Sequence, residues 1–196
     1  RLQKKYRLKV DKDVPLLGMV TRITEQKGFE LLMEIIEPLL RLRVQIIIVG
    51  DGDKRYKNFF TKVSRKYPRK MVAYMQFKSD NITRIYAASD MFLMPSQFEP
   101  CGLAQLIALR YGSVPIVRET GGLKDSITPY NKFTDEGLGF TFTFYDAGDI
   151  LGALDRALET FFDYPASWQS LQTRGMRAHF TWDKSARQYM DLYRSL

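Results

Sequence analysis

The sequence predicts an α/β protein with a doubly wound, mostly parallel sheet, and three observations support that prediction. Short apolar runs alternate with longer segments whose apolar residues recur at helical spacing. The runs are apolar on both faces, which is typical of parallel strands covered by helices on both sides. Glycine and unusual polar residues collect just after the runs, where such sheets bind ligands. We therefore expect one Rossmann-like domain over residues 1–196.

The predicted elements alternate regularly along the chain. Strands are expected over residues 14–20, 44–50, 71–77, 90–96, 113–119 and 137–144. Helices are expected over 29–42, about 54–66, near 81–89 and over 103–112, and two or three more close the chain, the last near 184–195. The loops that follow strands read "TRITEQKG", "GDGDK", "FKSDN", "SQFEPCG" and "RETGGLKD". Ligand-binding residues are expected in these loops.

Composition excludes several classes of protein. One cysteine permits no internal disulfide and favours a reducing compartment, and one histidine excludes a multi-histidine metal site. We expect neither a metal nor another cofactor. The longest apolar runs are far shorter than the roughly 20 residues of a membrane helix, so no membrane partner is expected. The first residue is Arg1 rather than methionine, which indicates a fragment or a processed piece.

The chain is basic, with a formal net charge of +8. This charge suits an anionic partner, but it is equally typical of a solvated surface, because the cations are spread along the chain. The run "RYKNFFTKVSRKYPRK" mixes basic and aromatic residues, as nucleic-acid-binding segments do. It also has the pattern of an amphipathic helix with a basic outer face. We favour the helix and expect no nucleic-acid partner.

The loop after the first strand carries two cations, Arg22 and Lys27. The dinucleotide pattern G-x-G-x-x-G and the Walker A loop are both absent, which disfavours a dehydrogenase or a P-loop ATPase. Two cations on a strand-to-helix loop can neutralise a diphosphate, and arginine can do so with a bidentate fork. An exposed pair of surface charges remains the alternative interpretation of this loop.

The stretch "PSQFEPCGLAQL" is more informative. The N–H groups of Gly102, Leu103 and Ala104 are expected to open a helix and to face an anion. Glu99 would repel a phosphate, so its position suggests that it accepts hydrogen bonds from the hydroxyls of a neutral sugar beside the phosphate. The alternative is that Glu99 is only a favourable charge near a helix start.

Cys101 and the segment "RETGGLKDS" each allow two interpretations. Cys101 could be a nucleophile, but the only histidine, His179, lies far along the chain, so a small packing residue is favoured. Gly121 and Gly122, after Thr120, could let the backbone approach a ligand or could form a tight turn. The turn is slightly favoured from these residues alone.

Several motifs together resemble the carboxyl-terminal half of bacterial glycogen synthases and plant starch synthases. The resemblance rests on "TRITEQKG", "GDGD", "PSQFEPCGLAQLIALRYGSVPIVRETGGLKDS" and "HFTWDKSARQYMDLY", which occur in family order from about Pro15 to the end. It implies one half of a GT-B glycosyltransferase, the half that binds the nucleotide-sugar donor. The family transfers glucose from ADP-glucose, or sometimes UDP-glucose, to the non-reducing end of an α-1,4-glucan, with retention and without a metal.

The resemblance also implies roles for particular residues. Arg22 and Lys27 correspond to the diphosphate-binding cations, and Glu99 corresponds to the active-site glutamate that holds the glucose hydroxyls. Other donor-binding positions are Phe77, Cys101, Gly102, Leu103, Ala104, Thr120, Gly121 and Gly122. A front-face reaction without an enzyme nucleophile is preferred to Glu99 acting as the nucleophile. The family implies a cytoplasmic protein, or a plastid one in a plant.

Two positions depart from common family patterns, and one part of the family's sequence is missing. Phe77 stands where tyrosine is frequent, which keeps stacking but loses a hydroxyl contact. Ile107 stands where wider relatives have a second glutamate, a lack that these synthases share. The amino-terminal acceptor-facing half is absent from these residues, so we expect the isolated chain to bind nucleotide but to transfer little glucose. A non-catalytic nucleotide-sugar or glucan-binding module, or another glycosyltransferase such as a sucrose synthase relative, stays open.

Overall fold

The computed structural model describes residues 2–77 and 79–196, without the side chains of residues 79–81 and 184. Six parallel strands form one sheet in the order β3-β2-β1-β4-β5-β6. The strands are β1 (Leu16–Val20), β2 (Gln45–Val49), β3 (Met71–Tyr74), β4 (Met91–Met94), β5 (Val114–Arg118) and β6 (Phe140–Phe142). The predicted doubly wound parallel sheet is confirmed.

Nine helices are found within the described residues, together with a 3-10 turn at Glu25–Lys27. They are α1 (Leu2–Lys5), α2 (Phe29–Arg41), α3 (Lys54–Lys66), α4 (Ser79–Ala88), α5 (Ala104–Arg110), α6 (Gly121–Ser126), α7 (Ala147–Asp163), α8 (Pro165–Arg177) and α9 (Trp182–Ser195). Among the described residues, no helix is both long enough and apolar enough to cross a membrane.

Both faces of the sheet are buried because successive side chains of a strand point to opposite sides. In β2, Ile46 and Ile48 pack into the cluster beneath α2, α3 and α7, whereas Ile47 and Val49 pack into the cluster beneath α4 and α5. A strand buried on both sides has no polar face, which explains the uninterrupted apolar runs of the sequence.

The basic, aromatic segment predicted as an amphipathic helix forms α3. Its aromatic residues Tyr56 and Phe60 and its Val63 are buried, and the ring of Phe60 meets that of Phe29 edge to face, with centroids 5.5 Å apart. The cations of α3 occupy its outer face. The helix interpretation of this run is therefore confirmed.

Several element boundaries were predicted wrongly. The third strand ends at Tyr74 rather than at residue 77, and the last strand covers only Phe140–Phe142 instead of 137–144. The segment "GGLKDS", predicted as a tight turn, forms the helix α6. The predicted ligand-binding loop "FKSDN" contains residue 78, which lies outside the described residues. In both strands that were predicted too long, apolar residues continue beyond the last residue that pairs with a neighbouring strand. Apolar character therefore does not mark where these strands end.

Candidate functional site

A small pocket opens at the carboxyl ends of β1 and β4, the neighbouring strands between which the strand order changes direction. Ligands of open α/β sheets bind at such a point. The pocket has a volume of about 70 Å³ and is lined by Met19, Val20, Thr21, Lys27, Leu93, Met94, Ser96, Glu99, Gly102, Leu103 and Ala104. Sites for whole small molecules usually reach about 300 Å³ or more, so this pocket has room for one phosphate-sized group.

Lys27 and Glu99 form an ion pair in this pocket, between Nζ and Oε2. Their side chains are only 14% and 9% exposed. The hydroxyl of Ser96 donates a second hydrogen bond to the same carboxylate oxygen, over 3.2 Å. Glu99 precedes the first residue of α5 by five positions, and its carboxylate contacts Lys27 rather than capping the helix.

The position of Lys27 depends on a glycine. Lys27 ends the 3-10 turn, and Gly28 continues the chain in the left-handed region with φ of 80°. A Cβ atom on Gly28 would lie 2.0 Å from the carbonyl oxygen of Pro95. Only glycine combines this conformation with so close an approach, so Gly28 lets the loops after β1 and β4 come together.

Two further hydrogen bonds join the same loops, and a third holds the loop after β4 from β5. The N–H of Gln97 donates to the carbonyl of Gln26 over 2.9 Å, and the side chain of Gln26 donates to the carbonyl of Phe98 over 3.2 Å. From β5, Arg118 Nη1 donates to the carbonyl of Gln97 over 2.5 Å. The guanidinium of Arg118 also lies over the ring of Tyr145, and burial raises the pKa of that phenol. The loop that carries Glu99 is thus fixed from two sides.

The start of α5 presents open backbone donors to the pocket. Gly102 has φ of 76°, and α5 begins at Ala104. Within the described part of the chain, the N–H groups of Gly102, Leu103 and Ala104 donate to no protein acceptor. All three residues line the pocket beside Lys27. This arrangement suits an anion, because unpaired amides and a cation converge on it.

Gln105 is a residue of the site that the sequence analysis missed. It is buried, and its side-chain amide donates to the carbonyl of Gly102 over 2.9 Å and to the hydroxyl of Ser126 over 3.1 Å. It therefore ties the turn before α5 to α6. The available signal was a single amide in the apolar helix sequence "LAQLIAL".

Cys101 and the segment after β5 have structural contacts that differ from the favoured interpretations. The side chain of Cys101 is exposed, so it does not act as a packing residue. Instead its backbone contacts α6, where Cβ atoms on Gly121 and Gly122 would lie 2.2 Å and 1.9 Å from the carbonyl oxygens of Glu99 and Cys101. The N–H of Gly122 donates to the carbonyl of Glu99 over 3.0 Å, next to the half-buried Thr120. The glycine pair supports the backbone beneath the pocket.

Arg22 and Phe77 lie outside the pocket lining. Arg22 is exposed in the loop directly after β1, and among the described residues no carboxylate pairs with it. Phe77 is 44% exposed and lies three residues beyond the end of β3. Both follow strands at the carboxyl edge of the sheet, the edge at which the pocket opens.

The arrangement combines three chemical capacities. Open amides and Lys27 can bind an anion, and the Glu99 carboxylate can accept hydrogen bonds from hydroxyl groups. Lys27 has three N–H donors, so it can hold Glu99 and an anion at the same time. No group of three or more His, Cys, Asp or Glu residues that could hold a metal occurs in the part of the chain described.

Comparison with known proteins identifies the class to which this fold belongs. The family described as "Glycosyl transferases group 1" matches residues 2–168, and the chain belongs to that family. Its structural neighbours are GT-B glycosyltransferases, so the prediction of a Rossmann-like GT-B half is confirmed.

Individual relatives are more specific. The chain is 50% identical over 196 residues to a glycogen synthase of Clostridium novyi and 50% identical over 195 residues to one of Clostridium beijerinckii. It also matches a structure of the catalytic domain of starch synthase IV from Arabidopsis thaliana bound to ADP and acarbose, with a TM-score of 0.89, 35% identity and 99% of this chain covered. The predicted resemblance to glycogen and starch synthases is confirmed. The chain spans 41%, 40% and 41% of the lengths of these three proteins, in that order.

Proposed function

We propose that the chain is the donor-binding domain of a retaining α-1,4-glucan synthase, which transfers glucose from ADP-glucose, or from UDP-glucose, to the non-reducing end of glycogen or starch. The observation that carries the proposal is the meeting of Lys27, Glu99 and the open amides of α5 in one pocket at the switch point of the sheet. The similarity to a starch synthase structure described as bound to ADP supports a nucleoside diphosphate as the leaving group.

Each part of the pocket has a role in this proposal. Departure of the nucleotide builds negative charge on the distal phosphate, and Lys27 and the amides before α5 stabilise that charge without rearranging. Arg22, which lies outside the pocket on the same edge of the sheet, binds the diphosphate from the side of the solvent. Glu99 accepts hydrogen bonds from the glucose hydroxyls and orients the sugar. Its carboxylate is held by Lys27 and Ser96, so its position is set before the donor binds. The proposal uses neither a metal nor an enzyme nucleophile.

The proposal assigns different activities to the chain alone and to a longer enzyme. The curated relatives are more than twice as long as this chain. The chain alone should bind nucleotide and transfer little glucose, because no second wall orients the acceptor. We also infer a cytoplasmic location, as the family implies.

The first test is calorimetric titration of the chain with ADP and with UDP. Arg22→Ala should weaken ADP binding by about tenfold, because a charge-assisted contact to phosphate is lost. Arg22 is exposed and unpaired among the described residues, so this variant should keep its fold. The matched control is Arg187→Ala on α9, which is also an exposed arginine but lies far along the chain; this variant should bind ADP as the parent does. Absence of heat with both nucleotides would contradict the proposal.

The second test separates a synthase from a binding module. In an enzyme of the relatives' length that contains this chain, Glu99→Gln should lower kcat by about a hundredfold while nucleotide affinity changes little. A non-catalytic module would show no glucan elongation in either form. Competition among ADP-glucose, UDP-glucose and GDP-glucose would separate a glucan synthase from a sucrose synthase relative.

A further inference from the structure

A second cleft lies at the opposite edge of the sheet, where β1, β2 and β3 begin. Its volume is about 590 Å³, and five of its ten lining residues are cations: Lys9, Arg41, Arg43, Arg69 and Lys70. Asp11 is the one acidic residue of the lining. The pocket of Lys27 lies at the carboxyl ends of the strands, so the strands separate the two sites.

The positive charge of this basic cleft is poorly compensated. Lys9 Nζ lies 3.6 Å from a carboxylate oxygen of Asp11. Among the side chains that the structure describes, no carboxylate comes within 4 Å of Arg41, Arg43 or Arg69. Cations that share a concave surface repel one another, and a bound anion relieves that repulsion.

Helix stabilisation explains only part of the cluster. Lys70 Nζ donates to the carbonyls of Leu40 and Leu42, over 2.8 and 2.9 Å, and so caps the end of α2. Arg41 lies in the last turn of the same helix, where a cation is favourable. Arg69 lies outside any helix and contributes its carbonyl to the N–H of Lys9, over 3.0 Å. Its guanidinium is exposed, and no described side chain or carbonyl holds it.

Two of the cations are already held in place. Lys70 is fixed by the two carbonyls of α2, and the guanidinium of Arg43 lies over the ring of Phe162, 4.9 Å from its centroid. Fixed groups lose less side-chain freedom when a ligand binds. The cleft therefore combines preorganised cations with the guanidinium groups of Arg41 and Arg69, which have no ion-pair partner among the described side chains.

We propose that this basic cleft binds a small molecule that carries two or more phosphate groups. Guanidinium groups bind phosphate oxygens in a bidentate manner, and the volume of the cleft is within the usual range for small-molecule sites. The cations converge in one concavity instead of following a stripe along the surface, which favours a small ligand over a nucleic acid. The site does not overlap the proposed donor site, so both ligands can bind together.

The proposal is tested by calorimetric titration of the chain with inorganic tripolyphosphate in the presence of saturating ADP. Arg41→Ala combined with Arg69→Ala should raise the Kd for tripolyphosphate by about tenfold or more, because two charge-assisted contacts are lost. The matched control combines Arg177→Ala with Arg187→Ala, which removes the same charge from exposed positions on α8 and α9. The control should change the Kd by less than about twofold.

The comparison between variants keeps this result independent of the proposed donor site. Tripolyphosphate that entered the pocket of Lys27 would do so equally in both double variants. Equal weakening in both, or no binding to the parent chain, would overturn the basic-cleft proposal and leave the donor proposal unaffected.

Two further measurements cover misfolding and nucleic acid. If the alanine variant does not fold, Arg41→Lys with Arg69→Lys keeps the charge and removes the bidentate forks. That variant should bind tripolyphosphate more weakly than Arg177→Lys with Arg187→Lys, and equal binding would overturn the proposal.

Titration with a single-stranded oligonucleotide of about twelve nucleotides tests for a nucleic-acid partner. The proposal would also be overturned if the oligonucleotide bound more tightly than tripolyphosphate and lost that affinity in the cleft variants.

Discussion

Lys27 and Glu99 lie 72 positions apart in the sequence and meet as a buried ion pair. The sequence analysis predicted that both belong to the site, but it gave Lys27 to a diphosphate and Glu99 to a sugar. Their direct contact could not be predicted, because it depends on how closely the loops after β1 and β4 approach. Gly28 sets that approach through its contact with Pro95. A glycine in a loop can be required for many different backbone conformations, so its presence in the sequence does not indicate this contact.

The energy of this pair can be measured with a double-mutant cycle. Lys27→Ala and Glu99→Ala should each lower the free energy of unfolding by about 3 kcal/mol, because each leaves a buried charge without its partner. The double variant should lose clearly less than the sum of the two, and chemical denaturation measures all three values.

A surface pair supplies the control for that cycle. Lys66 and Glu37 lie 2.7 Å apart, but their side chains are 60% and 42% exposed. Solvent screens such a pair, so its cycle should show coupling close to zero. Purely additive effects for Lys27 and Glu99 would show that their contact contributes nothing to the stability of the fold.

At the scale of elements, the strands and most helices could be predicted because apolar periodicity reports directly on burial. The error at α6 has a different origin. Two adjacent glycines after a strand are typical of a turn, whereas here they begin a helix that packs against the backbone of Glu99 and Cys101. Gln105 was missed for a related reason, since one amide in an apolar helix indicates neither its partners nor its burial.

Substitution of the glycines tests this packing. Gly122→Ala should lower the free energy of unfolding by about 2 kcal/mol, because its Cβ would lie 1.9 Å from the backbone oxygen of Cys101 and the chain must shift. The shift moves the loop of Glu99, so anion binding in the pocket should weaken as well. Thermal unfolding and nucleotide titration measure the two effects.

The control for that substitution is another helical glycine. A Cβ on Gly152, inside α7, would come no closer than 3.6 Å to Arg156 Nη1. Gly152→Ala should therefore stabilise the chain by about 0.5–1 kcal/mol, as alanine does in a helix interior. Equal stability of the two alanine variants would contradict the supporting role of α6.

At the scale of the whole molecule, α9 differs from the other long helices. It has a large apolar face, and Trp182, Tyr189, Met190, Leu192 and Tyr193 are all more than half exposed. Its described side chains contribute nothing to either hydrophobic cluster. An apolar surface of this kind favours association of the chain with itself or with another protein.

Truncation after Thr181 tests this description. The midpoint of thermal unfolding should change by less than about 2 °C, because none of the described side chains of the removed helix is buried in the core. Light scattering should show weaker concentration-dependent association than for the parent chain. Truncation after Asp163 is the contrast, since it also removes the buried Trp168 and Leu171 and should unfold the chain or lower its midpoint strongly. A large loss of stability in the shorter truncation would show that α9 belongs to the core.

The contact between Lys27 and Glu99 also has a consequence for biosynthesis. A nascent polypeptide that has left the ribosome only as far as residue 90 carries the amine without the carboxylate, and it lacks the strand that brings them together. An anion that binds between the loops after β1 and β4 can thus stabilise only chains in which β1 has already paired with β4. Such a ligand would act late, as a stabiliser of finished molecules, and would have no influence on the first strands to emerge.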